Sequence, residues 1–151
     1  GGGTATAKPQ PPVPTGGSGP PGRECTGGAE GGSFAGAGRP AFLSYRVLDI
    51  SEARQRRCQA HVIRAEEAVT AGTGRHAHRL DFQMVYILKG WVRFWYDGTG
   101  VVDLRAGDCV YQPPGIAHEL QAGSDDLEML EITSPADFGT DPVAAPPATG
   151  R

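Results

Sequence analysis

From Phe42 to Thr133 the chain is cut into short runs rich in branched and aromatic residues, each ended by turn residues within about ten positions. The runs read FLSYRVLDI, CQAHVIRA, LDFQMVYILK, WVRFWY, VVDLRA, DCVYQPP and LEMLEIT. Only ISEARQRR suits a helix, of a turn or two, so strands alternating with helices are excluded. What remains is an all-β sandwich or barrel of about seven strands. DGTG, Asp97 to Gly100, is a hairpin turn, and AGD, Ala106 to Asp108, makes the next tight corner. Within WVRFWY, alternation sends Val92, Phe94 and Tyr96 to one face and Trp91, Arg93 and Trp95 to the other. A cation-π stack of Arg93 with the tryptophans would suit that second face. Two tryptophans on an outer face also call for a cover, and a homodimer is expected.

The ends of the chain have a different character. Residues 1 to 40 are about half Gly and Pro, with Phe34 their only aromatic, a composition that cannot bury enough apolar area to offset chain entropy. We expect a disordered Gly/Pro-rich tail over 1–40, one folded domain over 41–134, and a mostly flexible tail over 135–151 in which Phe138 can dock.

A net charge of -3 excludes a nucleic-acid surface, which needs clustered Lys and Arg. RQRR, Arg54 to Arg57, reads as a solvated basic turn. No apolar run reaches the length of a membrane span and no secretory signal opens the chain, so a cytoplasmic protein with no membrane partner is expected. Cys25, Cys58 and Cys109 are odd in number and show no CxxC spacing, which suits free thiols rather than disulfides or a thiolate zinc site.

Of four histidines, two sit one residue apart in GTGRHAHRL. In an extended chain His76 and His78 point the same way, and two convergent imidazoles are half a metal site. An exposed polar loop explains the pair equally well. A second cluster, GDCVYQPPGIAHEL, sets Gly107, Pro113, Gly115 and His118 in order.

Together the two segments resemble the paired signature of the cupin superfamily, G-x5-HxH-x(3,4)-E-x6-G and G-x5-PxG-x2-H-x3-N. His76, His78, Gln83 and Gly90 fall on the first motif, and Gly107, Pro113, Gly115 and His118 on the second. Gln83 stands where the motif has glutamate, Thr70 where it has its first glycine, and Ala122 where it has asparagine. The resemblance implies a single-domain jelly-roll β-barrel with a divalent transition metal on His76, His78, His118 and Gln83. Neutral imidazole suits Fe(II), Zn, Mn or Ni, and the Gln83 amide oxygen would leave positions open for water or substrate. Asp81 competes for the fourth place, but Gln83 has the motif's spacing to Gly90.

Other residues carry less. His61 reads as a strand histidine with a hydrogen-bonded or solvated ring, and Glu119 as a solvated neighbour of His118. Cys109 can face the cavity or its back, and Tyr96 and Tyr111 serve equally as hydroxyl donors or core residues. The function expected from the resemblance is a three-histidine Fe(II) dioxygenase acting on an enolisable or phenolic small-molecule substrate. The alternatives are a zinc cyclase or isomerase and a non-catalytic small-ligand module, which the lack of an acid or base in the motifs would favour.

Overall fold

The computed structural model describes Phe34 and residues 41–48, 50–53 and 55–145. The expected disordered tail, Cys25 included, lies outside these except for Phe34, whose ring has the Arg64 guanidinium 4.0 Å above its centre. Among the described residues there are ten strands: β1 (Leu43–Val47), β2 (Gln59–Ala65), β3 (His76–Arg79), β4 (Phe82–Lys89), β5 (Trp91–Tyr96), β6 (Gly100–Arg105), β7 (Cys109–Tyr111), β8 (His118–Gly123), β9 (Glu128–Ser134) and β10 (Gly139–Pro142). ISEARQRR supplies one helical turn, α1 (Ile50–Ala53).

The strands form two five-stranded antiparallel sheets, in the orders β1-β2-β9-β4-β7 and β10-β3-β8-β5-β6. Their inner faces meet in one core. Val85 and Ile87 of β4, Ile63 of β2 and Met129 of β9 face Val92, Phe94 and Tyr96 of β5 and Leu120 of β8. Alternation places them there, and truncating a wholly buried side chain such as Ile87 to Ala would cost roughly 2–5 kcal/mol.

The face assignment of WVRFWY holds, with Val92, Phe94 and Tyr96 buried and Trp91 and Arg93 exposed. The arginine over the ring is a different one. Arg75 lies 3.8 Å from the Trp95 ring centre, whereas Arg93 forks onto Asp103 of β6 at 2.7 and 2.9 Å. Arg93 and Asp103 are cross-strand partners, so a carboxylate sits directly opposite the guanidinium.

The boundary at Ser134 needs correction. β10 pairs with β3 from Gly139↔Arg79 to Pro142↔His76, and Arg79 holds Asp141 at 2.5 Å. GTDP has little strand propensity of its own. The free edge of β3 supplies the pairing, which no periodicity in the sequence announces.

Candidate metal centre

β3, β8 and β10 bring the site together through register. His76 and His78 share a face of β3 by alternation, and His76 stands directly opposite His118 of β8. The ring centroids of the three histidines lie 4.4 to 4.9 Å apart. One ring nitrogen from each falls within 4.8 Å of the others. Two bonds of about 2.1 Å to one ion span at most about 4.2 Å, so loading would draw the rings slightly inward.

The hydrogen bonds decide which nitrogens are free. His76 Nδ1 is 2.8 Å from the Gly74 carbonyl and His118 Nδ1 is 3.0 Å from the Ile116 carbonyl. A carbonyl only accepts, so each ring has a hydrogen on Nδ1, and in its neutral form each presents a bare Nε2. His78 Nδ1 is likewise engaged, 2.8 Å from Thr140 Oγ1, because β10 sets Thr140 directly opposite His78. Burial holds His118 below the usual histidine range, with the Ile116 carbonyl opposing and the charge of His76 adding to the effect. A neutral ring with a free nitrogen is what a metal ion takes.

The turns that aim these strands use the motif glycines. Gly90 has φ +72°, and a Cβ there would meet Ser124 Oγ, Asp126 Oδ1 and the Leu127 backbone. Gly115, at φ +73°, turns the chain just before His118.

Gln83 comes from the other sheet, buried on the wall of the cavity that the three histidines also line. Its Nε2 donates to Glu131 Oε2 at 2.9 Å. The carboxylate can only accept, so the amide hydrogens are committed to Glu131 and the carbonyl oxygen is left as the group a metal could use. Asp81, its competitor, is exposed and does not line the cavity.

Glu131 is the functional candidate that motif reasoning missed. It is a buried carboxylate on the cavity wall, opposite His61 in register, with Oε1 2.8 Å from His61 Nε2. Burial pushes its carboxyl up, but the contacts with His61 and Gln83 and the charge of His78 outweigh that and hold it below the usual range. The alternation of LEMLEIT puts Met129, Glu131 and Thr133 on the buried face, a charge among core positions, and that was the available signal. His61 is a buried strand histidine whose charge partner is Glu131, with its ring edge-on to Tyr45 at 5.5 Å.

The cavity measures about 80 Å³, walled on one side by Leu43, Ile63, Val85 and Phe94. Gln112 also lines it, donating from Nε2 to Tyr96 Oη at 2.6 Å while its own Oε1 is buried without a partner. Phe138 packs on His78 with ring centroids 5.0 Å apart. Phe138 and Tyr45 separate this cavity from a second, of about 320 Å³, which His61 and Thr140 also line. Cys109, Tyr111 and Glu119 line neither, and Cys58 and Cys109 are free thiols.

Residues 64–133 match the family model described as cupin domain. Among solved structures, the polyketide cyclase RemF from Streptomyces resistomycificus aligns with TM-score 0.61 at 16% identity, over 77% of this chain and 82% of that one. KdgF from Halomonas sp. gives TM-score 0.57 at 16% identity, over 68% and 87%. Oxalate decarboxylase from Bacillus subtilis, a structure concerned with its Mn(II) centres, gives TM-score 0.56 at 17% identity, over 70% of this chain and 29% of that one. No curated protein matches the sequence. With both motif segments inside the matched region, the two sheets closing on three histidines are those of a cupin domain, and residues 64–133 of this chain form one.

Proposed function

We propose that this protein is a metal-dependent enzyme that binds a small enolisable or phenolic molecule as its anion, with Fe(II) as the favoured ion and dioxygenase chemistry as the leading reading. The observation that carries it is the set of three converging histidines whose Nδ1 atoms are already engaged. Gln83 through its carbonyl oxygen is the proposed fourth ligand. An ion held there supplies Lewis acidity and, as iron, redox chemistry toward oxygen.

The chain's own residues shape the rest. Gln112 Oε1 accepts a hydrogen bond from a substrate hydroxyl, which satisfies an otherwise orphaned buried oxygen. The apolar wall excludes water and limits the size of what enters. At about 80 Å³ the cavity is far below the roughly 300–1,000 Å³ of drug-sized sites, so a larger substrate must displace Phe138 or Tyr45 toward the adjoining space.

A second reading, a zinc cyclase or isomerase, is favoured by Glu131 and His61. They place an acid or base candidate at the wall, which the motifs lacked, and this also weakens the case for a purely ligand-binding module. The likeness to a polyketide cyclase agrees with it. Oxygen uptake separates the two. Protein reconstituted with Fe(II) and offered a panel of small diketones and phenols should consume oxygen in step with substrate. Turnover by the zinc form without oxygen uptake would replace the leading reading with the second, and no turnover with any ion would refute both.

We extend the proposal to a cytoplasmic homodimer. Free thiols suit a reducing compartment, and no helix among the described residues is long and apolar enough to cross a membrane. Phe82, Tyr86 and Tyr111 stand exposed together on the outer face of the first sheet, a surface that a second copy would cover.

A further inference from the structure

We propose that Glu131 is a positioning residue that supplies, through Gln83, the negative charge the metal ligands themselves lack. The inference rests on the metal reading above and deepens it. The set His76, His78, His118 and Gln83 is neutral, because glutamine stands where the cupin motif has glutamate. Among the described residues, Glu131 is the one carboxylate on the cavity wall. It lies one hydrogen bond behind the substituted position, accepting from Gln83 Nε2 at 2.9 Å. The charge has been moved outward along the inner face of the first sheet rather than deleted.

The register explains how. On β4 and β9, Gln83 pairs with Thr133 and Val85 with Glu131, so Gln83 and Glu131 are diagonal neighbours on one face. On the other side Glu131 pairs directly with His61, whose Nε2 meets its Oε1 at 2.8 Å. The carboxylate therefore accepts from Gln83 through Oε2 and turns Oε1 toward His61. Two consequences follow for Gln83. Its amide orientation is fixed with the hydrogens toward Glu131, and a carboxylate pulling on those hydrogens polarises the amide and enriches its carbonyl oxygen, the atom offered to a cation. Outer partners of this kind typically govern about 10- to 100-fold in metal affinity.

The same geometry makes a sharp statement about restoring the motif glutamate. Gln83→Glu alone sets two carboxylates face to face with no donor between them, so that change is a poor repair by itself. The exchange Gln83→Glu with Glu131→Gln keeps one donor and one acceptor at the contact and puts the charge on the ligand.

Zn(II) affinity of the full chain, measured by competition with a chromogenic chelator, tests this in four proteins whose folding is checked by thermal melts without metal. Glu131→Gln retains an amide able to accept from Gln83, so it removes charge while keeping the bond. It should bind Zn(II) about 10- to 100-fold more weakly than the natural sequence. The exchange variant should recover to within about threefold of the natural sequence or exceed it, and Gln83→Glu alone should fall below the exchange variant. Glu131→Gln binding within threefold of the natural sequence would overturn the proposal, as would an exchange variant no better than Glu131→Gln. Were Glu131→Gln to fail to fold, the exchange variant against Gln83→Glu would still decide, since the two differ only at residue 131. A natural sequence that takes up no Zn(II), Fe(II) or Mn(II) would instead refute the metal reading itself.

Discussion

Thr140→Val separates the role of β10 in the site from its role in the fold. Thr140 is exposed and its hydroxyl lies 2.8 Å from His78 Nδ1, directly across the β10–β3 ladder. Valine keeps the β-branched shape and the ladder but removes the hydroxyl. A typical net hydrogen bond is worth about 0.5–1.5 kcal/mol, and water can reach this one, so stability should change by less than about 1 kcal/mol. At 4–8 °C per kcal/mol for a domain of this size, the thermal midpoint should move by no more than about 8 °C. Metal affinity should respond more strongly, because the hydroxyl engages Nδ1 and so holds the orientation of the His78 ring. A loss of about tenfold, near the lower end for such partners, is expected. Chelator competition with Zn(II) on the full chain gives the value. Thr140→Ser should restore it, and Asp141→Ala, which breaks only the exposed pair with Arg79, should leave it unchanged. Thr140→Val binding Zn(II) within twofold of the natural sequence would refute the reasoning that β10 tunes the site.

Two further outcomes follow from the turns and the core. Gly90→Ala should be much more destabilising than Gly107→Ala, because both carry the cost of positive φ, roughly 1–2 kcal/mol, but only at Gly90 does the added Cβ meet neighbouring atoms, including Leu127 Cα at 3.0 Å. Equal urea midpoints for the two variants would count against that. Burial pushes the Tyr96 hydroxyl up to about 12, with the Gln112 bond opposing and the charge of Glu131 adding to the rise. Its folded value lies above the ordinary 10, so its contribution to stability is complete below pH about 10 and is lost as pH rises toward 12. An ultraviolet pH titration should therefore lose a phenolate component near pH 12 in Tyr96→Phe, and an unchanged curve would show that Tyr96 ionises elsewhere.

The sequence was legible where physics repeats. Alternation in WVRFWY and LDFQMVYILK exposed the strands and their inner faces, and the spacing of His76, His78 and His118 to the turn glycines exposed the centre. Three strands escaped. HAHR, HELQAG and GTDP hold few branched residues, and their strand character comes from neighbours: β3 is sandwiched between β8 and β10. β10 carries Thr140 and follows Phe138, so part of the site lies in a segment whose composition resembles a tail. Glu131 was hidden for another reason. Alternation in LEMLEIT sets it on the face of Met129, but its partners His61 and Gln83 emerge only when register places them beside it. Arg75 over Trp95 depends in the same way on a loop coming back across the sheet, which no local pattern records.

The most direct test of the account is the metal content of purified protein by mass spectrometry, for the natural sequence and for His76→Ala and His118→Ala. About one divalent transition-metal ion per chain is predicted for the natural sequence, falling to a small residue in each variant, since each loses one of three convergent nitrogens. Full occupancy retained in both variants would contradict the centre described here.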